Sequence, residues 1–359
     1  MSSSLPNQGN NTNKKGAKEI FLAHKYKIIT ILSLLVVATV CFFVIIPYFS
    51  VRAPEDAVIR IPKNATSQNV KDSIAKYLGE EYAGMVLKAA STRKTDYSKR
   101  HGAYLIEKGM TPYKAERKLA VGGQHPVKLV INGFRTPDRM AEKISLKMDF
   151  TKDSLLNAMQ NPAVLSKYGI KKEEILALFP DATYEVFWSF SPEEVIDKTA
   201  SHYKSIWNDE RLKKLASTGL SKSEFMTLCS IVDEESNKAD DKGKIGRLYL
   251  NRLKKGMKLQ ADPTVKYAVG DFTLRRILNQ HLKTVSPYNT YLVTGLPPGP
   301  IRTTSVATID SVLYSAPNDY LYMCAKEDFS GYHAFAVTYD EHLKNARRYQ
   351  QALNERGIK

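Results

Sequence analysis

The chain has 359 residues, 43% hydrophobic and 25% charged, with 53 Lys and Arg against 37 Asp and Glu for a net charge of +16. This composition excludes a wholly disordered, collagen-like or low-complexity protein, and the length suffices for two or three domains with a substantial core. The positive balance favours acidic partners; alone it leaves nucleic acid, an anionic membrane surface and a carboxylate-bearing polymer open. Three cysteines are too few for a disulfide scaffold or a four-cysteine zinc site. Cys41 lies in an apolar run, and Cys229 and Cys324 read as two buried free thiols.

Residues Ile28 to Ile46 carry no charge. At about 1.5 Å rise per residue such a helix matches the ~30 Å hydrocarbon core of a bilayer. Lys14, Lys15, Lys18, Lys25 and Lys27 precede it against one acid, Glu19, and Tyr48 and Phe49 follow as an interfacial aromatic pair. The lysine excess predicts a cytoplasmic tail over 1–27, a transmembrane helix over 28–46 and the remainder across the membrane. The competing reading is a cleaved signal peptide, whose apolar region is usually shorter. The nearest small-x-small site, Val51-Arg52-Ala53, is followed by Pro54, which disfavours cleavage. An exported basic domain rarely meets the genome, so headgroups and cell-wall polymer become the expected acidic partners, and no nucleic acid is expected.

Three segments between residues 58 and 146 then share one pattern: a short β-rich run, a Gly or Asn turn, a Thr, and an amphipathic helix. They run Val58–Pro62 with Asn64 and Thr66, Tyr104–Glu107 with Gly109 and Thr111, and Val127–Asn132 with Gly133 and Thr136. In each, apolar residues stand four and eight positions after the Thr: Val70 and Ile74, Ala115 and Leu119, Met140 and Ile144. That spacing marks one helix face with the Thr as N-cap. Units this small cannot bury their own faces and are expected to pack on one another. A carbohydrate-binding module and a spacer remain equally open. Residues 90–101 read as a basic loop and 147–220 as helical, with one helix running from Ser191-Pro192 to Trp207.

Ser221-Lys222-Ser223-Glu224 is a capping box opening a helix. Phe225, Leu228, Cys229 and Val232 form its apolar stripe, and Glu235 continues it, whereas Asp233 and Glu234 rotate toward solvent or a flank. A carboxyl on a buried face has a raised pKa and becomes a general acid near neutrality. The structural alternative is a solvated helix tip. A second amphipathic helix carries Asn251 and Arg252 near its end. The turn at Asp262-Pro263 offers Gln260, Asp262 and Thr264 as amide, carboxylate and hydroxyl groups suited to sugars, or as an Asx-turn. Ser286-Pro287-Tyr288-Asn289-Thr290-Tyr291 supplies aromatic platforms, and 295–300 form a rigid Pro/Gly loop. His333 lies in an alternating β-like run, a position more often structural than catalytic. His281, His333 and His342 lack metal-ligand spacing, so no metal is expected.

Together SIVDEES at 230–236, the run from Leu248 to Gly270 containing QADPT, SPYNTY at 286–291, GLPPGPI at 295–301 and the segment 320–342 resemble the endolytic murein transglycosylase family (MltG, YceG-like). The likeness covers most of residues 28–345. It implies an α+β fold: a single N-terminal transmembrane helix, a LysM-like module over 54–146 and a mixed α+β catalytic domain over 147–350. It further implies cleavage of the MurNAc-β-1,4-GlcNAc bond within nascent peptidoglycan strands, leaving 1,6-anhydro-MurNAc ends, with no cofactor. Glu235 matches the family's catalytic position, first protonating the glycosidic oxygen and then, as carboxylate, deprotonating the C6 hydroxyl. Asn251, Arg252, Gln260, Asp262, Thr264, Ser286, Tyr288, Asn289, Tyr291 and His333 become the implied substrate-binding residues. Asn289, an amide, is expected to orient the sugar rather than activate water. The chain departs from the family pattern at Asp233, where Glu is common, and at Arg302-Thr303-Thr304, which replaces an Asn-Pro continuation. Peptidoglycan synthases are implied partners and the cytoplasmic (inner) membrane the implied location. The rival readings are a non-catalytic, membrane-anchored peptidoglycan-binding scaffold and, more distantly, an exported nucleic-acid binder.

Overall fold

The computed structural model describes residues 12–46, 50–274 and 276–357. The start of the expected cytoplasmic tail and the expected interfacial pair Tyr48 and Phe49 lie outside them. The described residues fall into two compact units, one ending at His125 and one starting at Pro126.

The first unit opens with a helix over Thr12–Val40 that passes into a π-helical turn at Cys41–Ile45. Its stretch His24–Phe43 is long and apolar enough to cross a membrane, and none of it is buried against protein. The helix begins well before Ile28, so the lysine-bearing segment from Thr12 onward is continuous with the span.

Strand β1 (Ala57–Ile61) pairs antiparallel with β2 (Gly102–Ile106), from Ala57 opposite Ile106 to Ile61 opposite Gly102. Between them run the helices Ser67–Leu78 and Glu80–Arg93, and Pro112–Val121 follows β2. Gly79, at φ +86°, lets the first two helices meet with no intervening loop. Thr66 and Thr111 accept hydrogen bonds from the backbone N–H of Asn69 and Lys114, as N-caps should. The stripe residues Val70, Ile74, Ala115 and Leu119 are fully buried with Ile59, Ile61, Val86 and Ile106. Each larger aliphatic side chain so buried contributes about 1.5–3 kcal/mol. The basic stretch 90–101 is not a plain loop. Ala89 and Ala90 are buried, so the helix continues to Arg93, and a 3₁₀ turn at Tyr97–Lys99 buries the Tyr97 ring.

The third β-α segment forms as expected but joins the second unit. Strand β3 (Pro126–Ile131) pairs antiparallel with β4 (Ala182–Phe187), and the helix Pro137–Ser145 is capped by Thr136. Strand β4 lies inside the segment read as helical. Its alternation puts Tyr184 and Val186 inward beside Leu129 and Ile131 of β3, which removes the third segment from the first two. The expected boundary at residue 146 therefore moves to His125–Pro126.

The second unit has two cores. One gathers Leu129, Ile131, Met140, Ile144, Leu155, Phe179, Val195 and Ile196; the other surrounds the helix Lys222–Glu235. That helix has no solvated face along its middle: every residue from Phe225 to Asp233 is buried. It packs against Ala239–Lys254 and Val306–Leu313. Strands β5 (Tyr322–Ala325) and β6 (His333–Ala336) pair antiparallel under the closing helix Tyr339–Glu355.

In the first unit Glu116 is fully buried, accepting from Arg93 at 3.2 Å and from the Thr95 hydroxyl at 2.6 Å. Arg93→Ala leaves that carboxylate uncompensated and should destabilise the unit by about 3 kcal/mol. Glu116→Gln, which leaves Arg93 exposed and still bonded to the Tyr113 hydroxyl, should lose less. Hydrogen exchange over 57–125 in denaturant reads the difference, and equal losses would contradict it.

Candidate active site

The helix Lys222–Glu235 ends in three consecutive acids, and the fold treats each differently. Asp233 is buried, receives Lys242 Nζ at 2.6 Å and accepts the Thr308 hydroxyl. Glu234 receives a two-pronged bond from Arg135, at 3.0 and 2.8 Å, and a further one from Arg302 at 3.1 Å. Of the two positions the helical register left open, solvent or a flank, both acids take the flank, because elements from before and after the helix close over that end. Arg302, a departure from the family pattern, is one of the cations that neutralise Glu234. Gly133, at φ +64°, makes room for it, since a Cβ there would meet Arg302 Nη2 at 2.3 Å.

Glu235 has no ion-pair partner among the described residues. Its partner is the phenol of Tyr249, whose hydroxyl donates to Oε1 at 2.7 Å. Desolvation is the main force on this carboxyl, with Asp262 and Glu234 adding repulsion and Tyr249 and Lys266 offsetting part of it; the pKa is pushed up to about 7. Position contributes too. Glu235 is the last helical residue before extended Ser236, with no base in the last turn, where the helix dipole opposes negative charge. Tyr249 is pushed well up by burial and by Glu235, so it stays a donor.

Glu235 opens into a cavity of about 230 Å³. The second helix contributes Leu248, Tyr249 and Arg252 to its lining, the turn before Asp262 contributes Leu259, Gln260 and Asp262, and Tyr291 adds its ring. The last wall is Met323, Cys324 and Ala325 of β5 with His333 of β6. Cys324 is a free thiol, as expected, but half-buried where a buried one was expected; Cys229 is buried.

The expected site residues divide. Glu235, Arg252, Gln260, Asp262, Tyr291 and His333 share the cavity. Arg252 also ties two walls together, donating to the carbonyls of Leu321 at 2.6 Å and Leu259 at 2.7 Å. Gln260 adopts the left-handed backbone (φ +49°), uncommon for a residue with a Cβ, with its N–H on the Thr290 carbonyl at 3.1 Å. Asp262 accepts from the Tyr291 hydroxyl at 2.7 Å.

The other five face away from the cavity. Asn251 donates to the carbonyls of Asn318 and Tyr320, and Ser286 caps its own turn through the Tyr288 N–H. Tyr288 packs on Tyr267. Asn289 is fully buried; its amide donates to the carbonyls of Leu282 and Thr284 and accepts from the Tyr291 N–H, which corrects the expectation that it touches sugar. Thr264, also buried, bonds Thr290 Oγ1 at 2.8 Å. These residues hold the loop that presents Tyr291 and Gln260. Neither Tyr249 nor Asp241 is singled out by the sequence pattern. No periodicity signals a hydroxyl or carboxylate whose partner lies on another element. Among the described residues no group of three His, Cys, Asp or Glu is placed to hold a metal ion.

An α+β unit with one carboxyl of raised pKa in a polar cleft has the arrangement that acid–base chemistry needs. The chain belongs to the YceG-like family, whose model matches residues 59–348. It is 37% identical over 159 residues to an endolytic murein transglycosylase of Bacillus subtilis, covering 44% of this chain and 42% of that protein. It is 26% identical over 326 residues to an endolytic murein transglycosylase of Streptococcus pneumoniae, covering 81% of this chain and 58% of that protein. The chain thus spans roughly half the length of these relatives. A crystal structure of a yceG-like protein from Listeria monocytogenes superposes with a TM-score of 0.54 at 26% identity, over 81% of this chain and 98% of that one.

The raised pKa of Glu235 makes a stability prediction. The unfolded carboxyl ionises near 4.5 and the folded one near 7, so the folded state holds the extra proton between these values and stability falls as pH rises through them. Glu235→Gln removes that loss. The variant should match the parent near pH 4 and exceed it by on the order of 3 kcal/mol at pH 8, read from denaturant melts. A pH-independent difference would refute the desolvated carboxyl.

Proposed function

We propose that this chain is a membrane-anchored endolytic murein transglycosylase, cleaving the MurNAc-β-1,4-GlcNAc bond within peptidoglycan strands and leaving 1,6-anhydro-MurNAc ends. The observation that carries this reading is Glu235: a carboxyl uncharged up to about pH 7, hydrogen-bonded to Tyr249, in a cleft. The names of the two relatives support the substrate class. Glu235 gives its proton to the leaving glycosidic oxygen, and its carboxylate then draws the proton from the C6 hydroxyl as O6 closes on C1. Gln260, Asp262, Tyr291 and His333 contact the sugars. Arg252, Asn251, Thr264, Ser286, Tyr288 and Asn289 hold the walls.

The helix around His24–Phe43 serves as the single-pass anchor, with the N-terminus in the cytoplasm and the catalytic unit outside, near nascent glycan and its synthases. The β1–helix–helix–β2 unit acts as the LysM-like module, binding glycan or spacing the catalytic unit from the bilayer. Basic residues throughout suit a polymer bearing carboxylates.

One observation favours a second reading. Asp262 lines the same cavity as Glu235, and a hydrolase uses a second carboxylate as nucleophile or base. Its bond to the Tyr291 hydroxyl argues for a positioning role.

The test uses the full chain in detergent or nanodiscs, with purified murein and mass spectrometry of the products. Anhydro ends are expected from the parent, and Glu235→Gln should lower the rate about 10³-fold. Products with only reducing ends would replace transglycosylation by hydrolysis. The rate should fall as pH rises through about 7, because the acid must be protonated. Tyr249→Phe removes a hydrogen bond that favours the charged carboxyl, so this alkaline limb should move to higher pH; a shift to lower pH would contradict the assigned role of the phenol.

A further inference from the structure

A second cavity lies at the other end of the helix that carries Glu235, and the two share no lining residue. The helix has 14 residues, so at about 1.5 Å rise its start stands roughly 20 Å from Glu235. This cavity measures about 770 Å³. Sites for small ligands run from about 300 to 1,000 Å³. Its lining includes Ser221, Lys222 and Ser223 at the helix start, and Tyr203, Lys204 and Trp207 at the end of the preceding helix Pro192–Ile206. Trp207 is 5% exposed, and its indole Nε1 has no hydrogen-bond partner. The Tyr203 ring stands near it, edge-on and outside hydrogen-bonding geometry. Ser223 Oγ is buried and equally unpartnered. The capping box engages the N–H groups of Ser221 and Glu224 only. Those of Lys222 and Ser223 precede any intrahelical acceptor. Buried donors left open in one place call for an acceptor from outside the chain.

We propose that this cavity binds the carboxylate end of a short peptide with small apolar side chains, apart from the cavity where Glu235 acts. The charges in the lining agree. Asp197 is already occupied: Lys167 reaches its two oxygens at 2.7 and 2.8 Å, and the Tyr168 hydroxyl donates to one of them. Glu174 accepts the backbone N–H of Lys171 at 2.7 Å. Lys204 and Lys222 are exposed and have no ion-pair partner among the described residues. Together with the positive end of the helix dipole they favour an anion. An indole N–H, an ammonium and a backbone N–H only donate, so the matching ligand atom is a pure acceptor. A carboxylate meets that demand, whereas a sugar hydroxyl also needs acceptors. Buried Leu178 and Ala200, with Ile170, supply an apolar surface that suits small side chains next to the carboxylate and has no use for an inorganic anion. Murein strands carry short peptides of this kind. Choosing them as the source rests on the glycan-cleaving reading, and the site then holds the peptide of a strand whose glycan is cut at the far end of the helix.

The experiment titrates acetyl-D-alanyl-D-alanine into the full chain in detergent by calorimetry, beside the same peptide as its C-terminal amide and beside inorganic phosphate. The free acid should bind at least about tenfold more tightly than the amide and should weaken as salt is raised. The double variant Lys204→Ala/Lys222→Ala, changed only at exposed positions, should bind it about tenfold more weakly. Trp207→Phe keeps a ring and removes the N–H, and it should lose several-fold. On murein the lysine variant should raise KM with kcat unchanged, and on glycan stripped of its peptides it should match the parent. Equal binding of acid and amide overturns the proposal, as does phosphate binding as tightly as the peptide. A lysine variant that binds the free acid like the parent, or that changes KM equally on stripped glycan, overturns it too. A parent that binds the free acid selectively but cleaves no glycan would uphold the site and overturn the glycan-cleaving reading instead.

Discussion

The site depends on a withheld counter-charge. Three carboxyls end one helix, and the fold brings cations to the first two only. Lys242 reaches Asp233, and Arg135 and Arg302 reach Glu234. Glu235 receives a phenol in place of a cation. An ion pair would hold that carboxyl charged at neutral pH, whereas desolvation beside two further carboxyls pushes its pKa up to about 7. The arginines on Glu234 also limit how much negative charge crowds the site. The raised pKa of Glu235 is therefore set by the distribution of charge over several elements.

Rigidity follows the same plan. Ser230, inside the buried helix, accepts the backbone N–H of Ile301 at 3.0 Å and pins the end of the Pro/Gly loop. Thr264 and Thr290 bond each other in the interior, and Thr290 also receives the Ala261 N–H. Asn289 closes its loop through three backbone partners. The cavity walls are thus carried on satisfied buried polar groups, which fix position more sharply than apolar packing alone. Residues that look sugar-facing by composition are the ones that perform this internal bonding.

Much of the local structure was legible. Threonine N-caps, the Ser221 capping box and the four-and-eight spacing behind each Thr concern residues within two or three turns of one another. Their outcome is set by hydrogen-bond geometry that does not wait for the rest of the chain. Strand β4 was not legible as such, because its half-buried alternation lies within helix-forming neighbours and gains its stability from β3, about fifty residues away in the chain. Asn289 shows the same limit within the site: an amide in a polar motif reads equally as ligand contact or loop clamp until its partners are known.

The sequence by itself determined an apolar N-terminal helix long enough for a bilayer, the starts of the Thr- and Ser-capped helices, and the register that singles out Glu235, since all of these depend on spacing along one stretch of chain. Only the tertiary structure decided that the third β-α segment belongs with β4, that Asp233 and Glu234 are neutralised while Glu235 is not, and that Asp241 stands behind His333. Those outcomes require groups far apart in the chain to meet, and Coulomb and desolvation energies act on distance in space, which residue order does not encode.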